Sequence, residues 1–147
     1  AIDRGTLGPS IDQYWRCSDP TFFAAGNLLR GIETAGQCCR EGRAAARAIA
    51  QALEGKLPAP EAIPVQVQGA LKYVYPQRIA PGAALDGAQL FKARVSKAAT
   101  GMLTVRADDR VIWSRRISTL PERRIAWPVS ATALQGAARV TVALEES

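Results

Sequence analysis

The 147-residue chain has no histidine and only three cysteines, Cys17, Cys38 and Cys39. Without histidine no Cys/His zinc pattern can be written, and the cysteines form no C-x-x-C pair, so metal and dithiol chemistry are not expected within these residues. Long apolar runs are missing as well: nothing approaches the roughly 20 consecutive apolar residues that span a bilayer. The opening Ala1-Ile2-Asp3-Arg4-Gly5 carries neither a start methionine nor a signal-peptide layout. A soluble, cytoplasmic piece of a longer polypeptide is expected, with no membrane partner.

What is present describes a chain able to form a core, 48% hydrophobic and 22% charged. Its length suits one ordinary domain or two small ones. The net charge of +6, from 19 Lys+Arg against 13 Asp+Glu, is scattered along both halves rather than gathered in a block. It permits contact with nucleic acid or an acidic surface without demanding it. A solvated basic surface is the simpler reading, and nucleic acid is not expected as a partner.

Composition changes near residue 55. From Glu33 to Leu53 the chain is rich in alanine and free of proline, with small or apolar residues at Ala35, Cys38, Cys39, Gly42, Ala46, Ile49, Ala50 and Leu53. That three- and four-residue spacing predicts a helix with this face buried and with Gln37, Arg40, Arg47, Gln51 and Glu54 in water. A buried stripe of such small residues asks for a close neighbour, either a sheet or a flat ligand. Gly55 is the expected stop, and Leu57-Pro58-Ala59-Pro60-Glu61-Ala62-Ile63-Pro64 cannot continue the helix, because proline lacks the amide donor. Residues 56–63 read as a linker.

Beyond the linker the period falls to two. Val65 and Val67 alternate with Gln66 and Gln68, and Leu71, Tyr73 and Tyr75 follow in step. Further runs at Gln89–Val95, Met102–Ala107, Arg110–Ile117, Arg123–Val129 and Arg139–Leu144 are separated by turn formers such as Asp86-Gly87, Thr100-Gly101 and Asp108-Asp109. Seven short strands at this spacing predict an antiparallel β-sandwich over residues 64–147, with a hairpin at Asp108-Asp109. Its expected interior is Leu103, Val105, Val111, Trp113, Phe91, Ile125, Trp127, Val140 and Val142. The expected fold class is therefore α+β: a strand-turn-helix segment over 1–55, then an all-β domain.

The chemistry is expected in the first part. Phe22-Phe23-Ala24-Ala25 reads as a short buried strand ending at Gly26-Asn27, before a loop that leads into the helix. A glycine there allows close approach of a ligand to the backbone, and the next residue offers a side-chain hydrogen-bonding group. The helix start, near Glu33-Thr34-Ala35, turns free amides and the positive end of the dipole toward the same place, which favours an anionic or electron-rich ligand atom.

These residues resemble a known family. Cys17-Ser18-Asp19-Pro20-Thr21-Phe22-Phe23-Ala24-Ala25-Gly26-Asn27, then Gly31-Ile32-Glu33-Thr34-Ala35-Gly36 and Glu41-Gly42-Arg43-Ala44-Ala45, are similar to the last FAD-binding segment of the pyridine nucleotide-disulfide oxidoreductase superfamily. The family pattern is a threonine, a proline three residues on, a hydrophobic strand, Ala-x-Gly-Asp and a helix whose start faces the flavin. The resemblance covers roughly residues 8 to 54, with strand, turn and helix at the expected separations. It implies that residues 1–55 are the C-terminal segment of an FAD-binding α/β domain. Gly26 would lie against the cofactor, Asn27 would bond a ribityl hydroxyl or the adjoining phosphate region, and Glu33, Thr34 and Ala35 would present amides to the pyrimidine end of the ring. Asn27 replaces the family's aspartate and Cys17 its threonine.

The resemblance further implies an upstream FAD- and NAD(P)-binding part of the same protein as the partner, and no activity for this fragment alone. Leu71-Lys72-Tyr73-Val74-Tyr75-Pro76-Gln77-Arg78-Ile79 resembles the appended β-domain of relatives acting on amine or amino-acid substrates, a docking or assembly module through which a homodimer or another subunit would associate. A reading from a different class is a stand-alone β-sandwich module binding a protein or an acidic polymer. Adjacent Cys38 and Cys39 project about 100° apart on a helix, so a disulfide between them would be strained and packing is expected.

Overall fold

The computed structural model describes residues 1–80 and 88–147, so the expected Asp86-Gly87 turn lies outside the described residues. The architecture is α+β, with one α-helix among the described residues and two sheets of mostly antiparallel strands. The chain divides into two units: Ala1–Ala62 with Pro76–Ala83, and Ile63–Tyr75 with Ala84–Ser147. Pro76–Ala83, expected within the all-β part, belong to the first unit.

In the first unit, helix α1 (Ala35–Leu53) begins after Thr34, whose Oγ1 accepts from the Gln37 amide at 3.3 Å. It ends in a Schellman turn: Gly55, at φ +68°, donates to the Ala52 carbonyl at 3.0 Å, and Lys56 donates to Gln51 at 2.8 Å. Both ends match expectation, but the buried face does not. Gln37, Glu41, Ala45 and Ala48 are buried, whereas Ala35, Cys39, Gly42, Ala46, Ile49, Ala50 and Leu53 are exposed. Alanine occurs all round this helix, so several stripes satisfy the same spacing and periodicity does not choose between them.

The expected strand at Phe22-Phe23-Ala24-Ala25 is reduced to a short pairing with Trp15–Cys17, in which Cys17 donates to Phe22 at 2.8 Å and Ala24 donates to Trp15 at 3.0 Å. Phe22 is exposed, and a strand needs a longer ladder than this to be buried on two faces. The local apolar cluster is small, Ile11, Ala24 and Leu29 with Trp15 and Cys17 packed on it. Polar bonds carry much of the organisation instead. Buried Asp12 accepts from Arg16 Nε at 2.8 Å, and the same guanidinium holds the Pro58 and Ala59 carbonyls, fixing the proline-rich segment. Gln77 exchanges bonds with the Ile11 backbone and Gln13 with that of Ala80, so side-chain amides mimic a strand ladder.

The strands are β1 (Ile63–Gly69), β2 (Leu71–Tyr75), β3 (Arg78–Ile79), β4 (Ala88–Val95), β5 (Ala99–Ala107), β6 (Arg110–Thr119), β7 (Ile125–Ser130) and β8 (Val140–Glu146). Leaving out β3, which belongs to the first unit, the second unit holds the expected seven among its described residues. Neighbours run β1-β8-β5-β6 in one sheet and β2-β4-β7 in the other. The all-antiparallel expectation is corrected at one place: β1 and β8 are parallel, with Val65 opposite Val140 and Val67 opposite Val142. Only strands joined by a short turn are obliged to run antiparallel, and these two lie at opposite ends of the unit. β1 and β2 are separate strands, as the count of seven requires. At Gly69, φ +69°, the chain leaves one sheet for the other, and a Cβ there would lie 2.2 Å from the Leu144 carbonyl oxygen.

Phe91, Leu103, Val105, Trp127, Val140 and Val142 fill the interior as expected, and Trp127 stacks between Phe91 and Trp113 with ring centroids 5.9 and 5.8 Å away. Trp113 and Ile125 are half-buried. Val111 is 51% exposed, against expectation. The hairpin at Asp108-Asp109 is present, but its register slips: Val105 faces Trp113 while Arg106 faces Val111, which leaves Ile112 as an extra residue. That bulge puts Val111 and Trp113 on opposite faces although they are two apart. The expected turn at Thr100-Gly101 is strand interior, and glycine is required at 101 because a Cβ would fall 1.9 Å from the Glu145 carbonyl oxygen of β8.

Candidate functional site

Gly26 opens a short 3-10 turn, Gly26–Leu28, at φ +68°, a conformation that favours glycine. A Cβ at this position would lie 3.3 Å from the Cys38 side chain, so the glycine also lets α1 pack close to the turn. Its amide points inward, donating to Glu41 Oε2 at 3.0 Å. Asn27 consequently projects outward and is exposed. Its Oδ1 accepts from the Glu33 amide at 2.9 Å. One hydrogen bond therefore joins the turn to the approach of α1, bringing the two sequence-predicted halves of the site together.

The same bond fixes the polarity of Asn27. Because its partner is a backbone N–H, the bonded atom must be the carbonyl oxygen, and Nδ2 is the end turned away as a donor. The Gly26 and Glu33 amides are engaged within the protein. Ala35 and Gly36 supply first-turn amides that have no intrahelical acceptor, and both residues are exposed. Asn27 Nδ2 and these two amides are donors, and the exposed Thr34 hydroxyl at the cap both accepts and can donate.

Behind the turn lies a buried charge cluster that sequence reasoning missed. Glu41 accepts from Arg30 Nη2 at 2.6 Å, Arg30 Nη1 at 3.2 Å, Gln37 Nε2 at 2.7 Å and Gly26 N at 3.0 Å. Arg30 also donates through Nε to Glu33 at 3.3 Å, and Arg40 donates to Gln37 at 2.9 Å. Arg30 and Glu41 are only 2% and 1% exposed. Burial alone would raise the Glu41 carboxyl, but the bonds from Arg30 and Gln37, the Arg30 charge and the Gly26 amide outweigh it and hold the group below its ordinary value. The one available clue was the spacing of Gln37 and Glu41, four residues apart on one helical face. Between turn and helix, Ile32 has φ +64° and an exposed side chain. A β-branched residue in this region is strained, and such strain gathers where a segment is held for use.

Of the amides expected to face a ligand, that of Glu33 is taken by Asn27, and the Gly26 amide is taken by Glu41. All three cysteines are free thiols, and burial pushes the Cys17 thiol up, with Arg78 partly offsetting it, which suits packing rather than nucleophilic chemistry. Among the described residues no group of acidic, histidine or cysteine side chains is placed to hold a metal ion, and no helix is long and apolar enough to cross a membrane. The positive excess belongs mainly to the second unit, with eleven Lys+Arg against six Asp+Glu, compared with eight against seven in the first. It forms no single stripe: Arg115 pairs with inward Leu103 and Arg116 with Met102, so these neighbours project from opposite faces of β6. No protein-family model, curated protein or solved structure matches the chain.

Proposed function

We propose that this chain is the C-terminal part of an FAD-dependent oxidoreductase, with an upstream part of the same protein completing the FAD site and supplying any NAD(P) site. The observation that supports this reading is the Asn27–Glu33 bond, which ties the Gly26-Asn27 turn to the residues that lead into α1. A flavin, when bound, takes up a hydride and gathers negative charge near N1 and the C2 carbonyl. Donors already fixed in place stabilise such charge without reorganising, and here the fixed donors are Asn27 Nδ2, Ala35 N and Gly36 N. Thr34 holds the first turn in shape, and Glu33 is drawn inward by Arg30. The second unit serves as a docking or covering module.

The test is the visible spectrum of the complete gene product. A yellow preparation with a flavin spectrum is expected; a colourless one that cannot be reconstituted with FAD removes the reading. Within a yellow preparation, Asn27→Leu keeps the turn exposed but deletes the outward donor, and it should weaken FAD retention about tenfold. Unchanged retention would show that Asn27 is not a ligand contact.

A further inference from the structure

We propose that Glu41 is a positioning residue of this flavin site: its carboxylate sets the turn that carries Asn27 against the start of α1. The inference rests on the flavin reading above and deepens it. Glu41 receives four hydrogen bonds from three segments, namely the Gly26 amide of the turn, both terminal nitrogens of Arg30 and the Gln37 side chain of the helix. Every oxygen is satisfied and the side chain is almost wholly enclosed.

Stability alone does not account for this choice of residue. Buried ion pairs are costly to desolvate, and apolar groups of similar volume often serve as well or better. What a carboxylate adds is direction, since four donors must converge on two oxygens. It anchors the turn through the Gly26 amide, and the next residue, Asn27, is exposed with its Oδ1 on the Glu33 amide. It also contributes charge: Arg30 faces both Glu41 and Glu33, and Arg40 joins the cluster through Gln37, so removing the Glu41 charge makes the region behind the turn more positive. Neutralising Glu41 should both loosen the turn and make a reduced, anionic flavin easier to hold.

The experiment uses the complete gene product with FAD, comparing Glu41→Gln, Gln37→Met and, as a control remote from the turn, Leu103→Ala in the core of the second unit. Glu41→Gln should release FAD about tenfold more readily, as expected for loss of hydrogen bonds to a charged group, and should shift the flavin midpoint potential upward. Gln37→Met retains three of the four donors and should give a smaller loss, about threefold, and it decides the matter if Glu41→Gln does not fold. Leu103→Ala should lower the melting temperature while leaving FAD affinity and potential unchanged. A colourless parent protein overturns the flavin reading and this proposal together. A yellow parent whose Glu41 and Gln37 variants keep its affinity and potential overturns the proposal alone, as does a Leu103 variant that loses FAD as readily as they do.

Discussion

The two units are held together by different means. In the second, Leu103, Val105, Phe91, Val140, Val142 and Trp127 are excluded from water, and its most exposed large apolar residue among those described, Val111, reaches 51%. In the first, the local apolar cluster is three residues with two more against it, while Ile2, Leu7, Phe22, Leu28, Ile32 and Leu53 are between 64% and 87% exposed. Its interior is given to Asp12–Arg16 and to Arg30–Glu41–Gln37. Apolar burial stabilises in proportion to area and is indifferent to direction, whereas hydrogen bonds to a buried charge fix angles. The first unit thus acquires a defined turn and helix start while several of its large apolar side chains stay exposed.

That contrast can be broken most forcefully at Arg30. Arg30→Met leaves Glu41 buried without its counter-charge and should cost about 3–5 kcal/mol, read as loss of the helical far-UV signal at lower denaturant while the tryptophan fluorescence of the sandwich is retained. Acid should act in the same direction. The folded-state pKa of Glu41 is depressed, so its contribution is complete above the ordinary carboxylate value of 4.5 and disappears as pH falls through the lower, folded value. The helical signal of the first unit should therefore weaken on acidification below that point, and Glu41→Gln should flatten the dependence; a helix indifferent to acid in the parent would contradict the ion-pair account.

The reciprocal test is Leu103→Ala, which opens a cavity in the sandwich and should cost about 3 kcal/mol in the second unit's unfolding, leaving the pH response of the helix in place. Gly101→Ala should cost about 1–3 kcal/mol, because its Cβ has no room against the Glu145 carbonyl unless the β5–β8 ladder shifts. The smallest effect belongs to Val111→Thr. With the bulge at Ile112 placing this residue in water, its unfolding midpoint should stay within about 0.5 kcal/mol of the parent. A loss approaching that of Leu103→Ala would mean that the register is wrong.

The end of α1 was readable because its causes are local, a glycine able to adopt positive φ and prolines beyond, whereas the Thr34 cap at its start emerged only in the structure. The strands of the sandwich were readable for the same reason, through alternation and short turns. Failures occurred wherever a distant partner decided. The buried face of α1 follows from Arg30, which lies outside the helix, and an alanine-rich surface accepts either orientation. Val111 changed sides because one extra residue entered the hairpin. Gly101 looked like a turn because sequence does not reveal the carbonyl of β8 pressed against it. Of the candidate site, Gly26, Asn27, Glu33, Thr34 and Ala35, the sequence named the residues but not their bonding, since the amides of Gly26 and Glu33 are taken by Glu41 and Asn27.

By itself the sequence determined the class, α+β with a helix ahead of a run of short strands, because period, helix stop and turn residues act within a few positions of one another. Tertiary structure alone decided which face of the helix is covered, which strands run parallel, and which atom of Asn27 faces outward. Each of those outcomes depends on a partner that chain separation hides, a guanidinium, a terminal strand or a single backbone amide, and only folding brings such partners within hydrogen-bonding distance.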